Sequence, residues 1–167
     1  QLFDWVGGEA DLRAGILRTI GPPKDRFAED HLRLLRAVRF AAQLGFEIEP
    51  GTFADLQANA AKIITVSAER IREELTKLFR PPHAAGGLEL LRQSGLLVQV
   101  LPELCATLTC EQSPEYHPEG SVLNHLLRML KQVPAEAHLS LPWAVLLHDI
   151  AKPLTASRDS ATGSIHF

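Results

Sequence analysis

Asp30, Arg33, Arg36 and Arg39 stand three positions apart in DRFAEDHLRLLRAVRFAAQLGFEIEP, residues 25–50 of a 167-residue sequence, and carry its densest chemistry. On a helix that spacing makes a continuous ridge. Three guanidinium groups on one ridge repel one another, so unless acidic neighbours neutralise them the ridge favours an anionic ligand, phosphate first among candidates. Asp30 sets carboxylate acceptors beside a planar donor fork, which matches the donor and acceptor edge of a nucleobase. The amino group of cytosine or adenine would meet Asp30, and a ring nitrogen or carbonyl would meet Arg33. Spacing by itself favours a plainer arrangement, with Asp30 and Arg33 as a surface ion pair and Arg36 and Arg39 solvated.

A second group lies in HPEGSVLNHLLRML, residues 117–130, and WAVLLHDIAKP, residues 143–153. Neutral imidazoles with one carboxylate ligate divalent transition metals, or form a catalytic magnesium or manganese site. His125 sits inside an apolar helical pattern and His148-Asp149 ends the next one. The short connection 131–139 lets two adjacent helices bring His125, His148 and Asp149 within about 5 Å of one another. The plainer alternative is a core histidine bonded to backbone at position 125 and a carboxylate capping the turn before Lys152-Pro153. His117, ahead of Pro118, is expected in an exposed loop, and His31, His83, His138 and His166 are expected to be structural or exposed.

The elements that must position these groups read as helices nearly everywhere, without strand-type alternation, so the expected class is all-α. They fall at roughly 9–15, 29–44, 52–62, 67–79, 84–94, 121–132 and 140–151, between Gly21-Pro22-Pro23, Gly45, Pro50-Gly51, Pro81-Pro82, Gly95 and Pro134. At 100° per residue, Leu34, Leu35, Val38, Ala41 and Ala42 share an arc of about 120° facing away from Arg33 and Arg36. Gly45 suits a left-handed helix end and Ser67 an N-cap. Pro81-Pro82 is the expected seam between residues 1–80 and 81–167, although a simple helix–helix turn would look the same.

Composition bounds the rest. With 46% hydrophobic and 22% charged residues and a net charge of −3, the sequence is that of an ordinary globular protein. The charge is uneven: residues 1–80 hold 12 Lys+Arg against 12 Asp+Glu, and residues 81–167 hold 5 against 8 with six of the seven histidines. That excludes a uniformly basic nucleic-acid binder and leaves room for a local basic stripe. No apolar run approaches the roughly 20 residues of a membrane span, and the start shows no signal-peptide pattern. Cys105 and Cys110 are too few for a disulfide scaffold and fit no common zinc spacing, so a reducing, cytoplasmic setting is expected.

GGEADLRAGILRTIG followed by RFAEDHLRLLRAVRFAAQLGFEI resembles the post-catalytic part of the class II tRNA nucleotidyltransferase (CCA-adding enzyme) and bacterial poly(A) polymerase family. The match runs through Asp4, Gly7, Gly8, Asp11 and Leu12, then Leu17, Arg18 and Gly21, then Arg26 to Phe46. The resemblance implies that Asp30 and Arg33 read the base edge of incoming CTP or ATP and that Arg36 and Arg39 aid triphosphate binding. Glu29 and Arg18 would support them, and a tRNA or other RNA 3′ end would be the partner. SAERIREELTKLF, residues 67–79, resembles the neck helix that follows, with Glu69, Arg70 and Glu73 in packing or salt bridges. Family catalysis uses a palm whose D-x-D carboxylates hold two Mg²⁺ ions, and no D-x-D occurs in this sequence. The expectation is a region that reads nucleotides and binds RNA for CCA addition or poly(A) tailing without transferring nucleotides alone.

His125 with LLHDIAKP resembles the HD superfamily of metal-dependent phosphohydrolases, which accompanies some members of that family. The resemblance implies a divalent metal at His125, His148 and Asp149, and offers a metal-dependent phosphohydrolase with an accessory RNA-binding neck as the alternative function. HD domains use a further aspartate downstream, and Asp159 lies too close to the pair to serve.

Overall fold

Helical periodicity becomes helix over most of the chain in the computed structural model, which describes residues 3–113, 115–159 and 165–167. The order is α1 (Gly8–Ala14), β1 (Ile16–Leu17), α2 (Pro23–Glu29), α3 (Leu32–Leu44), β2 (Glu47–Ile48), α4 (Pro50–Asn59), a 3₁₀ stretch (Ala60–Thr65) and α5 (Ala68–Leu78). Then come α6 (Ala84–Gln93), α7 (Leu97–Val100), α8 (Pro102–Ala106), α9 (Val122–Lys131), α10 (Ser140–Leu147), α11 (Lys152–Thr155), β3 (Ser157–Arg158) and β4 (Ile165–His166). The all-α class holds. The strands, which the sequence pattern did not reveal, form two short ladders, β1 parallel to β2 and β3 antiparallel to β4. Two residues are too few for a period-2 pattern to register.

Helix α3 is the centre of the fold. Leu32, Leu34, Leu35, Val38 and Ala41 are buried at helical spacing, which sets one face against α5 and α6. Gly45 ends it in the left-handed region at φ 67°, as its sequence position suggests. Helix α6 in turn packs on α9, and α9 on α10. One apolar cluster therefore runs from Phe27 through Leu35, Leu78 and Leu88 to Leu126 and Leu146, joining both sides of Pro81-Pro82.

The segment expected as one helix over 29–44 is instead broken at Asp30. Its backbone is extended at φ −153° and ψ 106°, so Asp30 leaves the ridge that Arg33, Arg36 and Arg39 keep. Pro23 opens α2 at its first turn, and both Phe27 and Leu32 reach the core only if the chain turns between them. Aspartate favours such a break over a helix interior, because its carboxylate bonds nearby backbone: Asp30 Oδ1 accepts the Leu32 N–H at 3.1 Å.

Other boundaries moved for similar local reasons. Pro50, read as punctuation, is at the start of α4, whose first N–H groups at Gly51 and Thr52 donate to the Glu49 carboxylate at 3.0 and 2.7 Å. Ser67 does precede α5, but its hydroxyl makes no capping bond. The helix expected over 140–151 ends at Leu147, which puts His148 and Asp149 on the turn leading to α11.

Candidate functional site

The break at Asp30 positions the first candidate group. Arg33 Nη1 donates to Glu29 Oε2 at 2.6 Å and to the Arg26 carbonyl at 2.9 Å, while Arg26 Nη1 reaches both Glu29 oxygens. Arg70 of α5 donates to Asp30 Oδ2 at 2.9 Å. Burial raises the Asp30 pKa, but the hydrogen bonds from Arg70 and Leu32 and the charges of Arg70 and Arg36 outweigh it, so the carboxyl lies below its ordinary value. Glu29 is lowered as well, chiefly by its bond from Arg33. Asp30 and Arg33 thus flank the break half-buried, linked through backbone by the Arg33 N–H donating to the Asp30 carbonyl at 3.0 Å, with the Asp30 carboxylate paired to Arg70 and the Arg33 guanidinium to Glu29.

Arg39 stands differently. Its side chain is only 12% exposed, Nε donates to Glu74 Oε2 at 2.6 Å, and Nη1 donates to Gln43 Oε1 at 2.9 Å. Its guanidinium also lies 4.0 Å from the Phe40 ring centroid. Arg36 Nε approaches the other Glu74 oxygen at 3.5 Å and stays 47% exposed. The acidic neighbour that neutralises the ridge is thus the buried Glu74, while Glu73, expected in packing or a salt bridge, is exposed. Such geometry makes Arg39 a tie between α3 and α5 and leaves Arg36 the more open of the two to an anion. Arg18 holds Asp11 through two contacts at 2.5 and 2.7 Å, fastening β1 to α1.

The second group forms around α9. His125, His148 and Asp149 each offer a ligand atom within 4.8 Å of the others, although His148 and Asp149 lie beyond the end of α10. His148 Nδ1 lies 2.7 Å from the Val145 carbonyl, and its Nε2 is 3.2 Å from Asp149 Oδ2. Lys152 Nζ meets the same Oδ2 at 2.7 Å and bonds Gln112 Oε1 at 2.7 Å.

Two further residues join: Glu119, which no sequence pattern singles out, and His117. Gly120, at φ 88°, turns the chain back so that Glu119 lies over α9. Its Oε1 is 2.6 Å from His125 Nδ1 and its Oε2 accepts from Arg128 Nη1 at 3.1 Å. The His125 hydrogen bond is the largest cause holding the Glu119 carboxyl down at about 2. His117, expected in an exposed loop, is half-buried, with its ring edge-on to His125 at 4.8 Å between centroids. His117, Glu119 and His125 form a second group of ligand atoms within 4.8 Å. Separations of six and nine residues from Glu119 to His125 and Arg128 follow no helical period, so only the turn at Gly120 reveals them. His31, next to Asp30, bonds Thr65, and His138 bonds Ser140.

A family model described as the probable RNA and SrmB-binding site of polymerase A matches residues 45–108. The multifunctional CCA protein of Halorhodospira halophila is 40% identical over 161 residues, which cover 93% of this chain and 38% of that protein. The protein of the same name from Pseudomonas aeruginosa is 35% identical over 165 residues, covering 95% of this chain and 40% of its own length. The chain therefore spans about two fifths of the relatives it matches. Among solved structures, the Bacillus stearothermophilus CCA-adding enzyme in complex with CTP superposes with a TM-score of 0.67 at 32% identity, over 89% of this chain and 34% of that one. The same residues thus match in sequence and in helical architecture, and over most of its own length the chain is similar to a part of the CCA-adding tRNA nucleotidyltransferases.

Proposed function

We propose that this chain selects the incoming nucleotide and holds RNA in a cytoplasmic enzyme that extends RNA 3′ ends with CTP and ATP. The observation that carries this reading is the α2–α3 break itself, which carries an Asp30 carboxylate paired with Arg70 and, three residues on, an Arg33 guanidinium paired with Glu29. Cytosine and adenine both present an amino donor beside a ring-nitrogen acceptor. Guanine and uracil present the reverse, so a carboxylate acceptor next to a guanidinium donor favours the first two. Arg36 meets the triphosphate, Arg39 fixes the ridge that carries Arg33 and Arg36, and Arg18 and Glu29 support the surrounding backbone. The CTP complex of the Bacillus stearothermophilus relative and the RNA-binding description of the matched family support this assignment. Transfer requires paired carboxylates and Mg²⁺, and the sequence has no D-x-D, so residues 1–167 alone select without transferring.

The test is single-turnover incorporation of all four nucleotides by an enzyme that carries this region together with a transfer domain. Asp30→Ala or Arg33→Ala relaxes discrimination against GTP and UTP, and the double variant costs clearly less than the sum of the singles. Full retention of C and A selectivity would sink the reading.

The convergence of His125, His148 and Asp149 favours a second activity, metal-dependent hydrolysis of phosphoesters, housed in residues 81–167. Two imidazoles and a carboxylate suit Mn²⁺, Co²⁺, Ni²⁺ or Zn²⁺, and the His148 ring is already oriented by the Val145 carbonyl. Such an ion, when bound, supplies a Lewis acid and an activated water. Lys152, beside Asp149, would draw a phosphoester anion to the same place. Hydrolysis of an aryl phosphate that depends on added metal and disappears with His148→Ala checks it.

A further inference from the structure

We propose that Glu119 is the positioning residue of the histidine site: it accepts the hydrogen bond of the His125 Nδ1–H, so that the Nε2 lone pair is left for a divalent metal held with His148 and Asp149. The inference rests on the metal reading of that group. Glu119 Oε1 lies 2.6 Å from His125 Nδ1, a distance that places a proton between the two. His148 is fixed in the same sense, its Nδ1 donating to the Val145 carbonyl at 2.7 Å. Both rings thus direct an Nδ1–H at an acceptor, so that in the neutral imidazole the lone pair falls on Nε2, the form that ligates through Nε2.

The alternative is that Glu119 itself ligates, with His117 and the His125 Nδ1, because those atoms also cluster within 4.8 Å. Its partners argue against that. Arg128 occupies Oε2 at 3.1 Å, and His125 and His117 share Oε1 at 2.6 and 3.4 Å, so both oxygens are engaged and one borders a permanent cation. At Asp149, by contrast, His148 and Lys152 both meet Oδ2. The turn at Gly120 and the Asn124 side-chain bond to the Glu119 carbonyl at 3.0 Å fix the backbone from which Glu119 reaches back. Arg128 then holds its carboxylate from the side away from His125.

Two measurements on this chain test the proposal. In the metal-free protein, long-range ¹⁵N–¹H spectra of the imidazole rings, with His125 assigned by His125→Gln, show His125 as the Nδ1–H tautomer. Glu119→Ala moves it toward Nε2–H. Glu119→Gln, whose amide oxygen still accepts, keeps it. Calorimetric titration with Ni²⁺ or Mn²⁺ then gives one ion per chain, weakened about 10- to 100-fold by Glu119→Ala and largely rescued by Glu119→Gln. An Nε2–H ring in the wild-type protein overturns the proposal whatever the variants' folding. So does a second ion lost with Glu119→Ala, which would make Glu119 a ligand. Unchanged affinity in Glu119→Ala overturns the positioning role alone. No binding by the wild type overturns the metal reading and the inference with it.

Discussion

Arg39 and Glu74 form a nearly buried ion pair, Nε to Oε2 at 2.6 Å, with side chains 12% and 4% exposed, that ties α3 to α5 across the core. Removing one partner of such a pair leaves a charge in a place where water cannot solvate it. Arg39→Ala is expected to lose about 3 kcal/mol of unfolding free energy. Replacing both residues by apolar side chains, Arg39→Met with Glu74→Leu, recovers most of that loss, because neither charge is then stranded. Urea unfolding of the two variants beside the wild type checks it. A single variant as stable as wild type would mean that the pair is open to water and that Arg39 is available for phosphate after all.

The Asp30–Arg70 pair gives a pH dependence with a definite sign. A carboxyl whose folded pKa lies below its unfolded value binds fewer protons in the folded state, so its contribution is present above the unfolded value near 3.8 and is lost as pH falls through the lower folded one. Arg70→Ala removes the principal partner that lowers Asp30. Wild-type stability therefore falls more steeply than that of Asp30→Asn between about pH 5 and about pH 3. Urea midpoints across that range read the difference, and parallel curves for the two proteins would refute it.

Helix α6 offers neighbouring glycines with opposite expectations. A Cβ on Gly86 meets nothing within 4 Å, whereas one on Gly87 would lie 2.7 Å from Leu78 Cδ1 and 2.8 Å from Leu78 Cγ. Leu78 is 1% exposed inside the core, so it moves only at the expense of its own packing. Gly86→Ala is expected to stabilise by about 0.5–1 kcal/mol through helix propensity. Gly87→Ala carries the same gain against a repacking cost of about 1–3 kcal/mol, and comes out destabilised. Thermal unfolding of the two variants should bracket the wild type.

What the sequence made legible was the periodic part of this molecule. Leu34, Leu35, Val38 and Ala41 mark the core face of α3 by spacing alone, and Gly45 marks its end, because both signals are local. The break at Asp30 escaped, since it depends on Phe27 and Leu32 competing for the same core, a tertiary demand on a stretch whose local pattern is helical throughout. The histidine group divides the same way. His125 and His148-Asp149 stand out by residue type, whereas Glu119 and His117 enter through a left-handed glycine turn whose effect is visible only in three dimensions. Glu74, which no local pattern marks, meets Arg36 and Arg39 only through the direction of α5 against α3.

The final expectation concerns ligand-linked stability at His148 and Asp149. An ion that binds only the folded chain stabilises it by about 2.7 kcal/mol at one hundred times its dissociation constant, which for a domain of this size is a rise of roughly 5–10 °C in Tm. Ni²⁺ or Mn²⁺ should produce that rise in the wild-type protein, and a chelator should reverse it. His148→Ala and Asp149→Ala should abolish the shift, while His138→Ala, whose ring bonds Ser140 instead, should leave it intact. Lys152 adds a sharper discriminator, because its ammonium group at 2.7 Å occupies the Asp149 oxygen with a positive charge that an arriving cation must face. Lys152→Met therefore enlarges the metal-induced shift at a given ion concentration while weakening any turnover of phosphoester anions. Protons compete with the ion for the imidazole lone pairs, so every shift should shrink as pH is lowered. A shift that survives His148→Ala would place the ion elsewhere on the protein, and a shift that Lys152→Met reduces would mean that the lysine helps to build the site instead of competing for it.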